Sequence, residues 1–266
     1  MLSAGFSFRP PRKEAKREPG EPYKAPPIAV AKVTSPDDTD GAVLYVSEDG
    51  ERETVSIPSF SEFVLLPPAL KDAREVISIA GASGAGKSYL AKSYAREYHR
   101  MWPSRDIFVI SALAKDKTLD TLKFLKRVDV ASLVDDPLEK GQDLEDFDHS
   151  LVIFDDTEAL QGKEKAAVQA LLDSLLTLGR HSATSVIVAS HLPARGKETR
   201  LLLSESNRFI VMPSALGYHT LSYLLSTHVG LSPKEIIEVR NIKSRWVCLA
   251  KTYPRYLISS QFARIL

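Results

Sequence analysis

The stretch that decides the fold is Gly81-Ala82-Ser83-Gly84-Ala85-Gly86-Lys87-Ser88. It fits G-x-x-x-x-G-K-[ST], the phosphate-binding P-loop (Walker A) pattern. Before it, Val76-Ile77-Ser78-Ile79-Ala80 is apolar and β-branched, as a buried parallel strand should be. After it, Leu90, Ala91, Tyr94, Ala95 and Tyr98 recur at helical spacing, with Lys92, Arg96, Glu97 and Arg100 on the other face. The glycines let backbone N–H groups turn inward around a polyphosphate, aided by the positive end of the helix dipole. Gly81, Ala82, Ser83, Gly84, Ala85, Gly86, Lys87, Ser88 and Tyr89 are therefore the candidate nucleotide cradle. Lys87 is placed to reach the β/γ-phosphates, and the Ser88 hydroxyl to ligate Mg²⁺.

Composition narrows the setting. A chain of 266 residues, 44% hydrophobic and 26% charged, suits a soluble globular protein of one large domain or one domain with an appendage. No apolar run approaches a membrane span, and Met1–Gly20 has no signal-peptide core, so secretion is not expected. Cys248 stands alone, which excludes an intrachain disulfide and fits a reducing, intracellular setting. The six histidines show no metal-ligand spacing. With a net charge of +1, any nucleic-acid binding must come from a local patch.

Three segments are expected. Residues 1–27 read as a mobile, Pro-rich arm carrying Arg9, Arg12, Lys13, Lys16, Arg17 and Lys24, either a solvated tail or one that binds DNA or a partner. Residues 28–70 read as a small β-rich appendage. In it Ala42–Val46 and Thr54–Ile57 flank Glu48-Asp49-Gly50-Glu51, a hairpin signal, and Phe63–Leu66 adds a further strand. Residues 71–266 alternate strands and helices, which predicts an α/β fold: a mostly parallel sheet with helices on both faces. Asp106–Ser111, Leu151–Phe154, Ser185–Ala189 and Arg208–Val211 are its later strands. Leu119, Leu122, Phe124 and Leu125 suggest a helix, and Asp135–Asp148 an exposed acidic connector. Two helical stretches near 216–227 and 233–239 precede an antiparallel pair of edge strands near 245–250 and 255–258.

Four apolar residues followed by Asp155-Asp156 form a Walker B pattern. A buried strand delivers such acids to the carboxyl edge of the sheet, beside the P-loop. Asp155 is the candidate Mg²⁺ ligand with Ser88, and Asp156 the candidate for orienting the attacking water, with Glu158 as its substitute. The strand ending at Ser190-His191 offers a γ-phosphate sensor or simply a polar terminus. Arg180 is either an arginine finger offered to a neighbouring subunit or a cation favoured at a helix C-terminus. Arg195, Lys197 and Arg200 follow the sensor strand and read as DNA-facing cations, a lid, or a solvated loop.

The P-loop, Leu151–Asp156, Leu178-Gly179-Arg180-His181 leading into Ser185–His191, and the tail Ser244-Arg245-Trp246-Val247 with Tyr253-Pro254 together resemble viral DNA-packaging ATPases. The likeness is to the FtsK–HerA superfamily, in particular the poxvirus-type packaging ATPase of large DNA viruses, and it spans roughly Val76–Leu266. Many relatives carry Gln or Asn at the sensor position, where this chain has Ser190-His191. The resemblance implies a homo-oligomeric ring, expected to be a hexamer, that hydrolyses ATP with Mg²⁺ and drives double-stranded DNA into a capsid. It further implies a capsid or portal-vertex partner, and residence in the infected cell, at viral factories or in the virion. No N-K-x-D guanine motif is present, which favours ATP over GTP. Two other readings stay open: a P-loop kinase or phosphotransferase, and a nucleotide-gated scaffold that binds DNA or capsid without translocating.

Overall fold

The computed structural model describes residues 5–9, 27–33, 41–47, 52–135, 144–194 and 196–266. Its N-terminal strands are β1 (Gly5–Arg9), β2 (Pro27–Val33), β3 (Ala42–Ser47), β4 (Thr54–Ser56) and β5 (Ser61–Leu65). The central run is β6 (Val76–Ala80), α1 (Lys87–Met101), β7 (Ile107–Ser111), β8 (Leu125–Arg127), α2 (Val130–Asp135), β9 (Leu151–Asp155), α3 (Gly162–Leu178), β10 (Ser185–Ser190), α4 (Lys197–Glu205) and β11 (Arg208–Val211). The chain closes with α5 (Tyr218–Leu224), a π-helical turn Leu225–Val229, α6 (Pro233–Asn241), β12 (Val247–Ala250), β13 (Tyr256–Ser259) and β14 (Phe262–Ile265).

Among the described residues these strands form two sheets. The larger runs β4-β14-β13-β12-β11-β6-β10-β9-β7-β8, parallel from β11 to β8 and antiparallel from β11 to β4. The smaller, β1-β3-β2-β5, is antiparallel throughout. β6, β9 and β10 are buried along their whole length because helices cover both faces, which is why their sequences are unbroken apolar runs. Ile77, Ile79, Ile153 and Ile187 pack toward Leu90, Tyr94 and Tyr98 of α1. Val76, Val152 and Val186 point the other way, to Val168, Leu171 and Leu175 of α3. Each large side chain buried this way contributes about 1.5–3 kcal/mol. The fold is thus an α/β sheet with helices on both faces and antiparallel strands at one side, the architecture of a P-loop NTPase.

Several local expectations are corrected. β3 and β4 do not form a hairpin: β3 pairs with β1 and β2, whereas β4 pairs with β14. Gly5–Arg9, read as part of a mobile arm, is a strand; residues 10–26 lie outside the described residues, as do 48–51 and the acidic stretch 136–143. The helix expected from Leu119 is one 3-10 turn, Leu119–Thr121, closed by the Asp116 carboxylate accepting from the Thr118 and Leu119 N–H groups at 2.7 and 2.6 Å. The antiparallel pair near the C-terminus is a three-strand meander, extended by β4. Lys197 and Arg200, for which a solvated loop was one of three readings, lie on α4, which buries Leu202 and Leu203.

A buried ionic cluster ties the two sheets together. Arg208 of β11 and Glu75, just before β6, are paired at 2.9 Å with both side chains below a tenth exposed. Arg208 also donates to the Leu66 carbonyl at 3.1 Å, the point where the chain leaves β5, and Tyr94 of α1 donates to Glu75 at 2.7 Å. Burial alone would lower the Arg208 pKa, but the Glu75 carboxylate outweighs it and holds the guanidinium above its ordinary range.

Candidate nucleotide-binding and hydrolysis site

The glycine loop leaves the carboxyl end of β6 and enters α1 at Lys87. Gly84 and Gly86 sit at φ +72° and +105°, a backbone region in which any side chain is strained. Neither an acidic residue in the first turn nor a side-chain cap occupies the N–H groups that open α1. Those donors stay available to an anion.

The charged groups converge where β6, β10 and β9 end side by side. Lys87, only 4% exposed, donates to the carbonyls of Gly81 and Ala82 at 2.9 and 3.0 Å, and its Nζ lies 2.9 Å from His191 Nδ1. An ammonium only donates, so Nδ1 accepts and the imidazole proton sits on Nε2. That nitrogen is 2.6 Å from Asp156 Oδ1, to which it donates. Lys87, His191 and Asp156 therefore form one hydrogen-bonded chain. Burial lowers the Lys87 pKa, while the nearby charges of Asp156, Asp155 and Glu158 oppose the shift.

Asp155 is 2% exposed at the end of β9. Burial raises its pKa, against a hydrogen bond from the Ser88 side chain that lowers it. Its Oδ1 is buried with no hydrogen-bond partner among the described residues. A hard anionic oxygen left without a donor, beside a hydroxyl at the mouth of a phosphate loop, suits a Mg²⁺ ion, and Asp155 and Ser88 are the residues that would hold it directly or through water. Asp156 follows with φ 53°, a left-handed conformation that an aspartate tolerates better than most residues. The turn carries its carboxylate to His191.

Glu158 has a different task. It accepts from the Ser190 hydroxyl, from the Leu192 N–H at 3.1 Å and from the His191 N–H at 3.2 Å. These bonds fasten the segment after β9 to the end of β10 and leave Asp156, not Glu158, the freer carboxylate. Ser190, 5% exposed, spends its hydroxyl on this clamp. Sequence reading placed Glu158 only as a substitute base; a glutamate shortly after a strand carries no signal of such a clamp.

Arg180 stands apart. It is exposed beyond the C-terminus of α3, ahead of the start of β10, whereas the loop lies at the finish of β6. β10 and β6 are parallel, Val186 opposite Val76 and Ser190 opposite Ala80, so Arg180 and Lys87 occupy opposite edges of the sheet. Its charged neighbour is Arg74, whose guanidinium donates to the Leu175 and Leu176 carbonyls at 2.8 Å each. Arg195 and the side chain of Lys197 lie outside the described residues, and Arg200 is exposed on α4.

The fold and this edge of the sheet define the chain as an α/β protein of P-loop NTPase architecture. No family model matches it. It is 33% identical over 232 residues to uncharacterized protein V3 of the Sputnik virophage, across 85% of this chain and 91% of that protein. The chain belongs to the family of that virophage protein. Among solved structures, it is similar to the cytoplasmic domain of the Thermomonospora curvata type VII secretion ATPase EccC, with a TM-score of 0.50 and 12% identity over 91% of this chain and 29% of that one. It is also similar to the genome packaging NTPase B204 of Sulfolobus turreted icosahedral virus 2 in complex with AMP, with a TM-score of 0.48 and 14% identity over 73% and 98% of the two chains. Among the described residues no helix is long and apolar enough to cross a membrane.

Proposed function

We propose that the chain is a Mg²⁺-dependent ATPase motor of the FtsK–HerA type, similar in kind to the poxvirus-type packaging ATPases, that moves double-stranded DNA into a viral capsid. The observation that carries the reading is the meeting of Lys87, the partnerless Asp155 oxygen and Asp156 at one edge of the sheet, under a glycine loop with free N–H groups. Gly81–Tyr89 cradle the ATP phosphates. Lys87 turns from the Gly81 and Ala82 carbonyls to the terminal phosphates. Asp155 and Ser88 hold Mg²⁺, which when bound neutralises charge between the phosphates. Asp156, oriented by His191, accepts the hydrogen bond of the attacking water. Ser190 and Glu158 keep the ends of β9 and β10 in register around it. Arg180 serves a neighbouring copy in a ring, expected to be a hexamer. Residues 71–266 are the motor unit, and 28–70 an appendage fastened to it through β4 and the Leu66 contact.

The DNA-packaging part rests on the Gly179-Arg180-His181 join and the Ser244–Val247 tail, and on kinship with a protein of a virus, which must enclose its genome. On this reading the partners are DNA and a capsid or portal-vertex protein, and the site of action is the infected cell. Steady-state ATP hydrolysis with and without long double-stranded DNA tests it. Stimulation by DNA, with turnover abolished by Lys87→Ala and by Asp155→Ala, is the expected result. Equal turnover with and without DNA in an assembled oligomer would remove the motor reading. Transfer of the γ-phosphate to a small acceptor would replace it with a phosphotransferase.

A further inference from the structure

A cavity of about 450 Å³ opens beside the glycine loop. Its floor is the α1 face of the large sheet, with Ile77, Ile79, Ile187 and Ile210. One wall is Gly86, Tyr89 and Ser93 at the start of α1. The opposite walls come from outside the P-loop motif: Glu62–Leu65 of β5, and Lys243–Trp246 ahead of β12. Protein interiors pack to crystal-like density, so an open space of this size is a binding feature rather than a packing fault. Its volume lies within the range of about 300–1,000 Å³ typical of small-ligand pockets.

Position identifies the ligand. β10 and β9, which carry His191, Asp155 and Asp156 at their ends, flank β6 on one side; β11 flanks it on the other. At the level of the loop the cavity is bordered by Met212, just past β11, and none of those three residues lines it. A polyphosphate in the loop with its terminal phosphate at the acids therefore leads its other end past Gly86 and Tyr89 into the cavity.

We propose that this cavity takes the nucleoside of the bound nucleotide, and that β5 of the small sheet is the wall that selects the base. The inference rests on the nucleotide reading above. Tyr89 and Trp246 supply aromatic surface for a flat heterocycle at the mouth, over an apolar floor. Among the described residues Glu62 is the sole carboxylate on the lining, a pure acceptor that favours a base with an exocyclic amine over one with a carbonyl there. β5 is not a loose flap. It pairs with β2, whose Lys32 is ion-paired to the buried Glu97 of α1, and the carbonyl that follows it is held by Arg208. These contacts hold β5 in place as a fixed wall of the cavity.

The test is calorimetric titration of the full chain, with Mg²⁺, by ATP, inosine triphosphate and inorganic tripolyphosphate. The wild type, Glu62→Gln and Ser93→Phe, which fills the cavity, are compared. ATP should bind about tenfold or more tighter than tripolyphosphate, and Ser93→Phe should erase that difference while tripolyphosphate affinity stays level. Glu62→Gln should narrow the preference for ATP over inosine triphosphate, and it carries the test if Ser93→Phe fails to fold. If wild type binds ATP and tripolyphosphate alike, or the variants keep the full ATP advantage, the cavity proposal falls while the phosphate loop stands. If wild type binds none of the three, the loop reading fails, and this inference with it.

Discussion

At the scale of single residues, the site holds charges that folding alone does not favour. Burial lifts the Asp155 pKa above its ordinary 3.8, so the folded chain holds that proton more tightly than the unfolded one. Stability contributed at this position therefore falls as pH rises from about 4 through the folded-state value, and the loss persists at neutral pH. Asp155→Asn keeps the shape and removes the charge. It should raise the melting temperature at pH 7 by a few degrees, on the order of 1 kcal/mol, and flatten the stability profile in that acid window, while hydrolysis disappears. Thermal melts of both proteins between pH 3 and 8 decide it; a variant that melts lower at pH 7 would show that Asp155 is not a strained anion awaiting a cation. Lys87 carries the matching cost in the opposite charge, offset by its two carbonyls and His191.

At the scale of elements, the Glu75–Arg208 pair sits where β6, α1, β11 and the exit of β5 meet. Removing one member strands a buried charge, a loss of about 3–5 kcal/mol. Glu75→Gln should lower the melting temperature by about 10 °C and free the Leu66 anchor, visible as faster hydrogen exchange in β5 and β2 than in β9. Uniform exchange across both sheets would refute the idea that this cluster is their joint. The same scale explains what the amino-acid sequence revealed. β6, β9 and β10 were legible because strands covered on both faces need unbroken apolar runs, and Lys87, Asp155 and Asp156 were legible because they end or follow such runs. β4 was not, since three residues with one buried valine say nothing about whether their partner is β3 or the distant β14. α4 was hidden by its polar opening Lys197-Glu198-Thr199-Arg200, with a buried stripe too short to show a period. His191 as the bridge between Lys87 and Asp156 was not legible, since the order β6-β10-β9 brings the strand ends together without saying which side chains meet there.

At the scale of the whole molecule, the question is how Arg180 can act on a nucleotide at all. It lies ahead of the amino end of β10, and the five-residue step from Ser185 to Ser190 at about 3.3 Å per residue already separates it from the loop edge by roughly 17 Å. No side chain spans that within one copy. A head-to-tail ring resolves the geometry, because a heterologous interface sets one edge of a subunit against a different edge of the next. Exposure of Arg180, with Arg74 turned inward onto the end of α3, leaves the guanidinium free for such a contact. If it stabilises the transition state across the interface, Arg180→Ala should cost about 10³–10⁵ in turnover with nucleotide affinity retained. Mixing it with Lys87→Ala, inactive for a different reason, should then restore activity. At junctions where a Lys87→Ala copy lends Arg180 to the intact loop of an Arg180→Ala copy, both parts are present, and random assembly makes about a quarter of the junctions of this kind. Turnover should rise with mixing to a maximum near equal proportions, measured on rings purified in succession through two different affinity tags, one on each variant. Mixed rings as inactive as either parent would remove the finger acting between copies, and an Arg180→Ala ring with wild-type turnover would return Arg180 to the C-terminus of α3 as a surface cation.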